Sequence, residues 1–180
     1  MNSGKEVKFS LNARPVSLDV AAGETLFETL GRLGLRLRSA CDEQGICGAC
    51  AVLVDGQPVN SCLYLAVRVE GRCVRTIEGE SLNEGGLSPM QKAYLKAGAV
   101  QCGFCTPALV LTSTAFVEQN KHRAAKVGRQ EIIRAHQGHL CRCTGYQQII
   151  DAVELALKEA ASLTSGRAES SPRIIRGKIS

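Results

Sequence analysis

The chain has 180 residues, enough for one large domain or two small ones. It lacks Trp and has only 4% aromatic residues, so base stacking on single-stranded nucleic acid is not its main business, and from its formal charge of +5 no nucleic-acid partner is inferred. The opening stretch MNSGKEVKFS has no apolar core and no twin arginine, and no apolar run approaches ~18 residues. Neither a leader nor a membrane span is therefore expected, and the thiols are read as those of a cytoplasmic protein.

Residues 6–20 read as a hairpin: Val7, Phe9 and Leu11 alternate, Asn12-Ala13 turns, and Val16, Leu18 and Val20 alternate again. Residues 24–33 read as a short amphipathic helix with Leu26, Phe27, Leu30 and Leu33 on one face. Ala51 to Val54 is a strand, Asp55-Gly56 a hairpin turn, and Pro58-Val59 the return. Leu63–Val69 and Cys73–Ile77 are read as two more strands, with Cys73 buried. Strands around one helix suggest a β-grasp fold.

The texture changes near residue 82. Asn83-Glu84-Gly85-Gly86 reads as a linker, and helices follow. Ser88 caps one, with Pro89 in its first turn and Gly98 after its end. Thr106-Pro107 starts a second, with Leu109, Val110, Ser113, Phe116 and Val117 as its buried stripe. A third fits about 129–136. Thr144 caps a fourth, with Ile149, Ile150, Val153 and Leu157 inward. The fold class is therefore α+β, an N-terminal β-grasp domain (1–82) followed by a small four-helix bundle (83–163). Residues 164–180 read as an irregular basic tail, disordered by default. His122 and His136 read as surface residues.

Nine cysteines dominate the chemistry. Clustered cysteines in a reducing compartment favour metal over disulfides, and the odd number argues against a complete disulfide set. Cys41-x5-Cys47-x2-Cys50-x11-Cys62 puts three cysteines on one loop and a fourth after a hairpin, the plan of a plant-type [2Fe–2S] site, except that its usual first gap is four residues. Gly45 and Gly48 let the loop curl, and Ile46 and Ala49 can shield it. The extra residue after Cys41 is expected to be absorbed as a bulge. Cys102-x2-Cys105-x35-Cys141-x-Cys143 brings two pairs to two helix starts, where free N–H groups and positive dipole ends favour thiolates. The spacings differ, so these are two unlike sites and not a duplication. Zinc is the competing occupant, but Cys₄ zinc sites usually use two CxxC knuckles. Two oxidised [2Fe–2S] sites would also bring the formal charge of +5 close to neutrality. No Ser–His–Asp set, paired catalytic carboxylates or P-loop stands out.

QCGFCTP (101–107) and GHLCRCTGYQQI (138–149) resemble the signatures of the iron–sulfur subunit of xanthine dehydrogenase-like molybdenum hydroxylases, and CGACAVLVDGQPVNSCL (47–63) resembles that subunit's ferredoxin-like domain. The resemblance spans roughly residues 6–160. It implies that Cys41, Cys47, Cys50 and Cys62 hold one [2Fe–2S] cluster and Cys102, Cys105, Cys141 and Cys143 the other. Gln101 and Cys143 would lie at the pterin of a molybdopterin cofactor. This chain departs from the family pattern at Ala108, where Gly is usual, and at His139, where Asn is usual. With four cysteines at that site, His139 is read as structural rather than as a Rieske-type ligand. The resemblance further implies partners: a large molybdopterin subunit and a medium FAD subunit, in a hetero-oligomer such as a dimer of heterotrimers, with no nucleic acid. Electrons would pass from the molybdenum site through both clusters to FAD or another acceptor. A free-standing two-cluster ferredoxin or a redox sensor is the alternative.

Overall fold

The computed structural model describes residues 4–81 and 86–168. Strands β1 (Lys5–Leu11) and β2 (Arg14–Val20) form the expected antiparallel hairpin. Asn12 and Ala13 both sit at positive φ, 50° and 65°, the sense of turn that matches strand twist. Asn12 is held there by Thr76: its amide donates to Thr76 Oγ1 and its carbonyl accepts from the Thr76 N–H, both at 2.9 Å.

Helix α1 (Leu26–Arg32) starts at a capping box in which Thr25 and Glu28 each accept the other's backbone N–H. Leu26 and Leu30 pack with Val7, Phe9, Val20, Val52 and Val54. Phe27 is only half-buried and Leu33 is exposed, because the helix ends at Arg32 and Leu33 falls beyond its last turn. Strands β3 (Ala51–Val54) and β4 (Gln57–Asn60) pair across Asp55-Gly56, and β5 (Cys73–Arg75) runs parallel to β1 and antiparallel to β3. The five-stranded order is β2-β1-β5-β3-β4, a β-grasp sheet.

Two readings of this half are corrected. The expected strand over Leu63–Val69 is a 3₁₀ turn at Ala66–Val69, preceded by one isolated bridge between Leu65 and Thr25. Ala66 and Val69 stand three residues apart and so share one face of a three-residue turn, which plugs the sheet–helix core. Cys73 is exposed, not buried; on β5 it is Val74 that points into the core.

The second half is helical: α2 (Pro89–Lys96), α3 (Thr106–Asn120), α4 (Arg129–Ala135) and α5 (Gln147–Ala168). Helix α2 carries the expected start, a Ser88–Gln91 capping box with Pro89 in the first turn, and Gly98 follows its end at φ 64°. Ile149, Ile150, Val153 and Leu157 of α5 are buried as expected. That helix runs to Ala168, so the first part of the expected irregular tail is helical, and 169–180 lie outside the described residues. The expected linker falls largely on 82–85, also outside them. Among the described residues no helix is long and apolar enough to cross a membrane.

Helix α3 joins the halves. It is apolar around most of its circumference, the mark of a helix buried on several sides. Leu109 and Val110 face α2 and α5, whereas Leu111 and Ala115 pack on Leu53 of β3. This explains why all four residues of β3 are buried: Val52 and Val54 face the α1 side and Leu53 faces α3. At the rim, the Arg75 guanidinium makes a two-pronged contact with Glu118 at 3.0 and 2.7 Å, and the Thr114 hydroxyl donates to Glu80 at 2.9 Å. Burial raises the pKa of Glu80, opposed by Thr114 and Arg75.

Candidate metal centres

The loop between α1 and β3 gathers the first four thiols. Gln44 N–H closes a turn on the Cys41 carbonyl at 3.1 Å, and Asp42 and Glu43 both take positive φ, 50° and 63°. This left-handed pair accommodates the five-residue gap after Cys41. The chain then needs both glycines. Gly45 (φ 74°) has Leu63 where a Cβ would stand, 2.3 Å away, and at Gly48 (φ 69°) a Cβ would lie 2.2 Å from the Gly138 carbonyl. Ala49 is buried beside the thiols, but Ile46 is 61% exposed and shields the site only from outside.

The backbone of this loop points at sulfur. N–H groups of Cys47 and Ile46 hold the Cys41 thiol down to about 6, and the Ala40 N–H donates to Cys47 Sγ at 3.4 Å. Across the site Cys50 and Cys62 lie with sulfurs 3.4 Å apart. Burial, then Cys50, pushes the Cys62 thiol up to about 11. Ser61, fully buried, donates to the Cys50 carbonyl at 2.7 Å and fixes the return strand's end.

The second four thiols converge beside α3. Cys105 is the residue preceding its first turn, in place of the expected Thr106, so the CxxC pair does abut a helix start. Cys141 and Cys143 do not: a turn through Thr144, Gly145 and Tyr146 separates them from α5. In that turn the Thr144 hydroxyl bonds to Cys141 Sγ at 3.1 Å and accepts from the Tyr146 N–H at 3.1 Å, instead of capping the helix. The Tyr146 hydroxyl accepts from the Cys141 N–H and donates to the His139 carbonyl, both at 2.9 Å. Cys102 pairs with Cys143, and Cys105 with Cys141. The Phe104 N–H lowers the Cys102 thiol, burial pushes Cys105 up to about 12, and the Cys102 thiol raises Cys143. Burial opposes the lowering of Cys141, which the Thr144 hydroxyl and N–H sustain. Gln101 and Cys143 are both exposed at this end.

Among the described residues, no group of three His, Cys, Asp or Glu side chains could hold a single metal ion. The sulfurs fall instead as pairs: Cys41 with Cys47 and Cys50 with Cys62 at one site, Cys102 with Cys143 and Cys105 with Cys141 at the other. Paired thiols suit a two-iron core, in which each iron takes two.

Several residues around the sites were not legible beforehand. His136 is buried, not on the surface. Its Nδ1 lies 2.7 Å from the Ile132 carbonyl, which can only accept, so Nδ1 carries the hydrogen and Nε2 accepts from Ser113, 2.8 Å away. Ser113 in turn accepts from the Tyr94 hydroxyl at 2.8 Å. Arg38, just before the first loop, donates to the Gly103 carbonyl at 2.9 Å and lies 5.5 Å over the Phe104 ring, within the second. His139 is buried as well, bonded to Gly48 and Thr112. Burial, with His136 nearby, holds its pKa down to about 4.

Comparisons with known proteins agree with this geometry. Residues 9–83 match the model of the 2Fe-2S iron-sulfur cluster binding domain, and 76–154 that of a [2Fe-2S] binding domain. The chain is 45% identical over 148 residues to the xanthine dehydrogenase iron-sulfur-binding subunit of Escherichia coli O157:H7, covering 82% of this chain and 91% of that one. It is 42% identical over 152 residues to the nicotine 6-hydroxylase small subunit of Paenarthrobacter nicotinovorans, covering 82% and 87%. Among solved structures, quinoline 2-oxidoreductase from Pseudomonas putida 86 superposes with a TM-score of 0.79 at 37% identity, covering 89% of this chain and 97% of that one. Fold, paired thiols and relatives converge: the chain belongs to the iron–sulfur subunits of the xanthine dehydrogenase-like molybdenum hydroxylases.

Proposed function

We propose that this chain is the electron-transfer subunit of a molybdenum hydroxylase, with Cys41, Cys47, Cys50 and Cys62 holding one [2Fe–2S] cluster and Cys102, Cys105, Cys141 and Cys143 the other. The observation that carries this is the convergence of eight thiols into two four-sulfur sites whose loops touch: the Leu140 N–H, next to Cys141, donates to the Cys47 carbonyl at 2.9 Å. When bound, such clusters supply one-electron relay between a molybdopterin site and a flavin or other acceptor. The chain's own residues do the rest. N–H groups of Ile46 and Cys47 donate to Cys41, and that of Phe104 to Cys102, which favours anionic sulfur. Burial of Cys47, Cys50, Cys62 and Cys105 keeps water from one side of each site. Gln101 and Cys143 are exposed and free to meet a pterin carried by another chain.

The proposed partners are a large molybdopterin subunit and a medium FAD subunit, in a cytoplasmic hetero-oligomer such as a dimer of heterotrimers. The proposed division is 1–82 for the ferredoxin-like domain, 83–163 for the helical domain and 164–180 for the basic tail. Affinity purification of the tagged chain from its native host tests the assembly. Stoichiometric molybdenum- and flavin-bearing chains are expected; a lone, fully loaded monomer would turn the reading to a free-standing ferredoxin.

A further inference from the structure

His139 occupies the junction of the two cluster loops. It is 6% exposed, and its ring spans three elements. Nδ1 lies 3.1 Å from the Gly48 carbonyl, between Cys47 and Cys50 of the first loop. Nε2 lies 2.8 Å from the Thr112 hydroxyl on α3, the helix that follows Cys105. Its own backbone leads through Leu140 to Cys141. A carbonyl only accepts, so Nδ1 carries the hydrogen toward Gly48 and Nε2 accepts from Thr112. The approach is close: a Cβ on Gly48 would stand 2.2 Å from the Gly138 carbonyl and 2.8 Å from His139 Nδ1.

We propose that His139 is a positioning residue that sets the spacing of the two clusters, through the hydrogen bond from Nδ1 to the Gly48 carbonyl, with Thr112 orienting the ring. The backbone contact from Leu140 to Cys47 needs the same close approach, so releasing the ring lets the two loops separate without removing any cysteine. The role is one of geometry and involves no proton transfer. It rests on the two-cluster reading above.

The test separates the two ends of the ring. An asparagine amide takes the place of Nδ1 and a glutamine amide that of Nε2, so H139N keeps the Gly48 contact and H139Q keeps only the Thr112 contact. Iron and labile sulfide are measured on wild type, H139N, H139Q and H139A in the assembled enzyme. The spin–spin splitting between the two reduced clusters is then read by electron paramagnetic resonance, since dipolar coupling falls steeply with distance. Expected is a wild-type splitting in H139N and a diminished or lost splitting in H139Q and H139A at full iron content. A wild-type splitting in fully loaded H139Q overturns the positioning role. Wild-type protein with fewer than about four irons per chain overturns the two-cluster reading instead.

Discussion

A thiol's neighbourhood here decides its charge before any metal arrives. Cys41 is held down to about 6 by backbone N–H groups, while burial pushes Cys62 up to about 11 and Cys105 to about 12. Each site thus combines a thiol that ionises readily with one that needs a cation to do so. Cys102→Ser should abolish the paramagnetic signal of one cluster and leave the other; loss of both together would contradict two separate sites. Cys73, exposed and outside both groups, should tolerate Cys73→Ser with iron content unchanged. His136 makes a pH-dependent contribution. Burial lowers its pKa below 6.5, so the unfolded chain binds its proton more readily than the folded one. Its contribution is fully present above about pH 6.5 and is lost as pH falls below that value. Urea unfolding at pH 7.5 and 5.5 should show a smaller acid loss in His136→Gln than in wild type; an equal loss would count against this. Neither its burial nor its tautomer was legible in the sequence, because its partners Ser113 and Tyr94 lie far along the chain and a lone polar residue reads as exposed.

Elements with local signals were readable. Asn12-Ala13, the Asp55-Gly56 turn and the Ser88-Pro89 start each carry their own turn or cap chemistry, and the structure keeps all three. Ser88→Ala should cost about 1 kcal/mol of stability with cluster content intact, measured by denaturant unfolding. Elements defined by distant contacts were misread. Leu63–Val69 read as a strand, but among the described residues its one ladder contact is the isolated bridge from Leu65 to Thr25, and Ala66 and Val69 turn inward together onto the core. Helix α3 read as one stripe because the sequence does not disclose that β3 lies across its other face. Leu111→Ala, at that face, should cost about 2–5 kcal/mol, read as a lower unfolding midpoint.

For the molecule as a whole, the spacing of eight cysteines pointed to two groups of four thiols, whereas the contact between the two groups was hidden. The links that seat one loop on the other, Leu140 to Cys47, His139 to Gly48 and Arg38 to Gly103, join residues 65 to 93 positions apart or involve backbone atoms that no side-chain pattern reports. The glycine at 48 was read as freedom to curl; the structure adds that it admits the second loop's backbone. That juxtaposition makes the chain a two-site relay instead of two ferredoxins in tandem. The most direct test is metal and sulfide analysis of the purified chain with paramagnetic resonance of its reduced form: about four irons and four labile sulfides per chain with two distinguishable signals are expected, whereas zinc without labile sulfide would contradict the assignment outright.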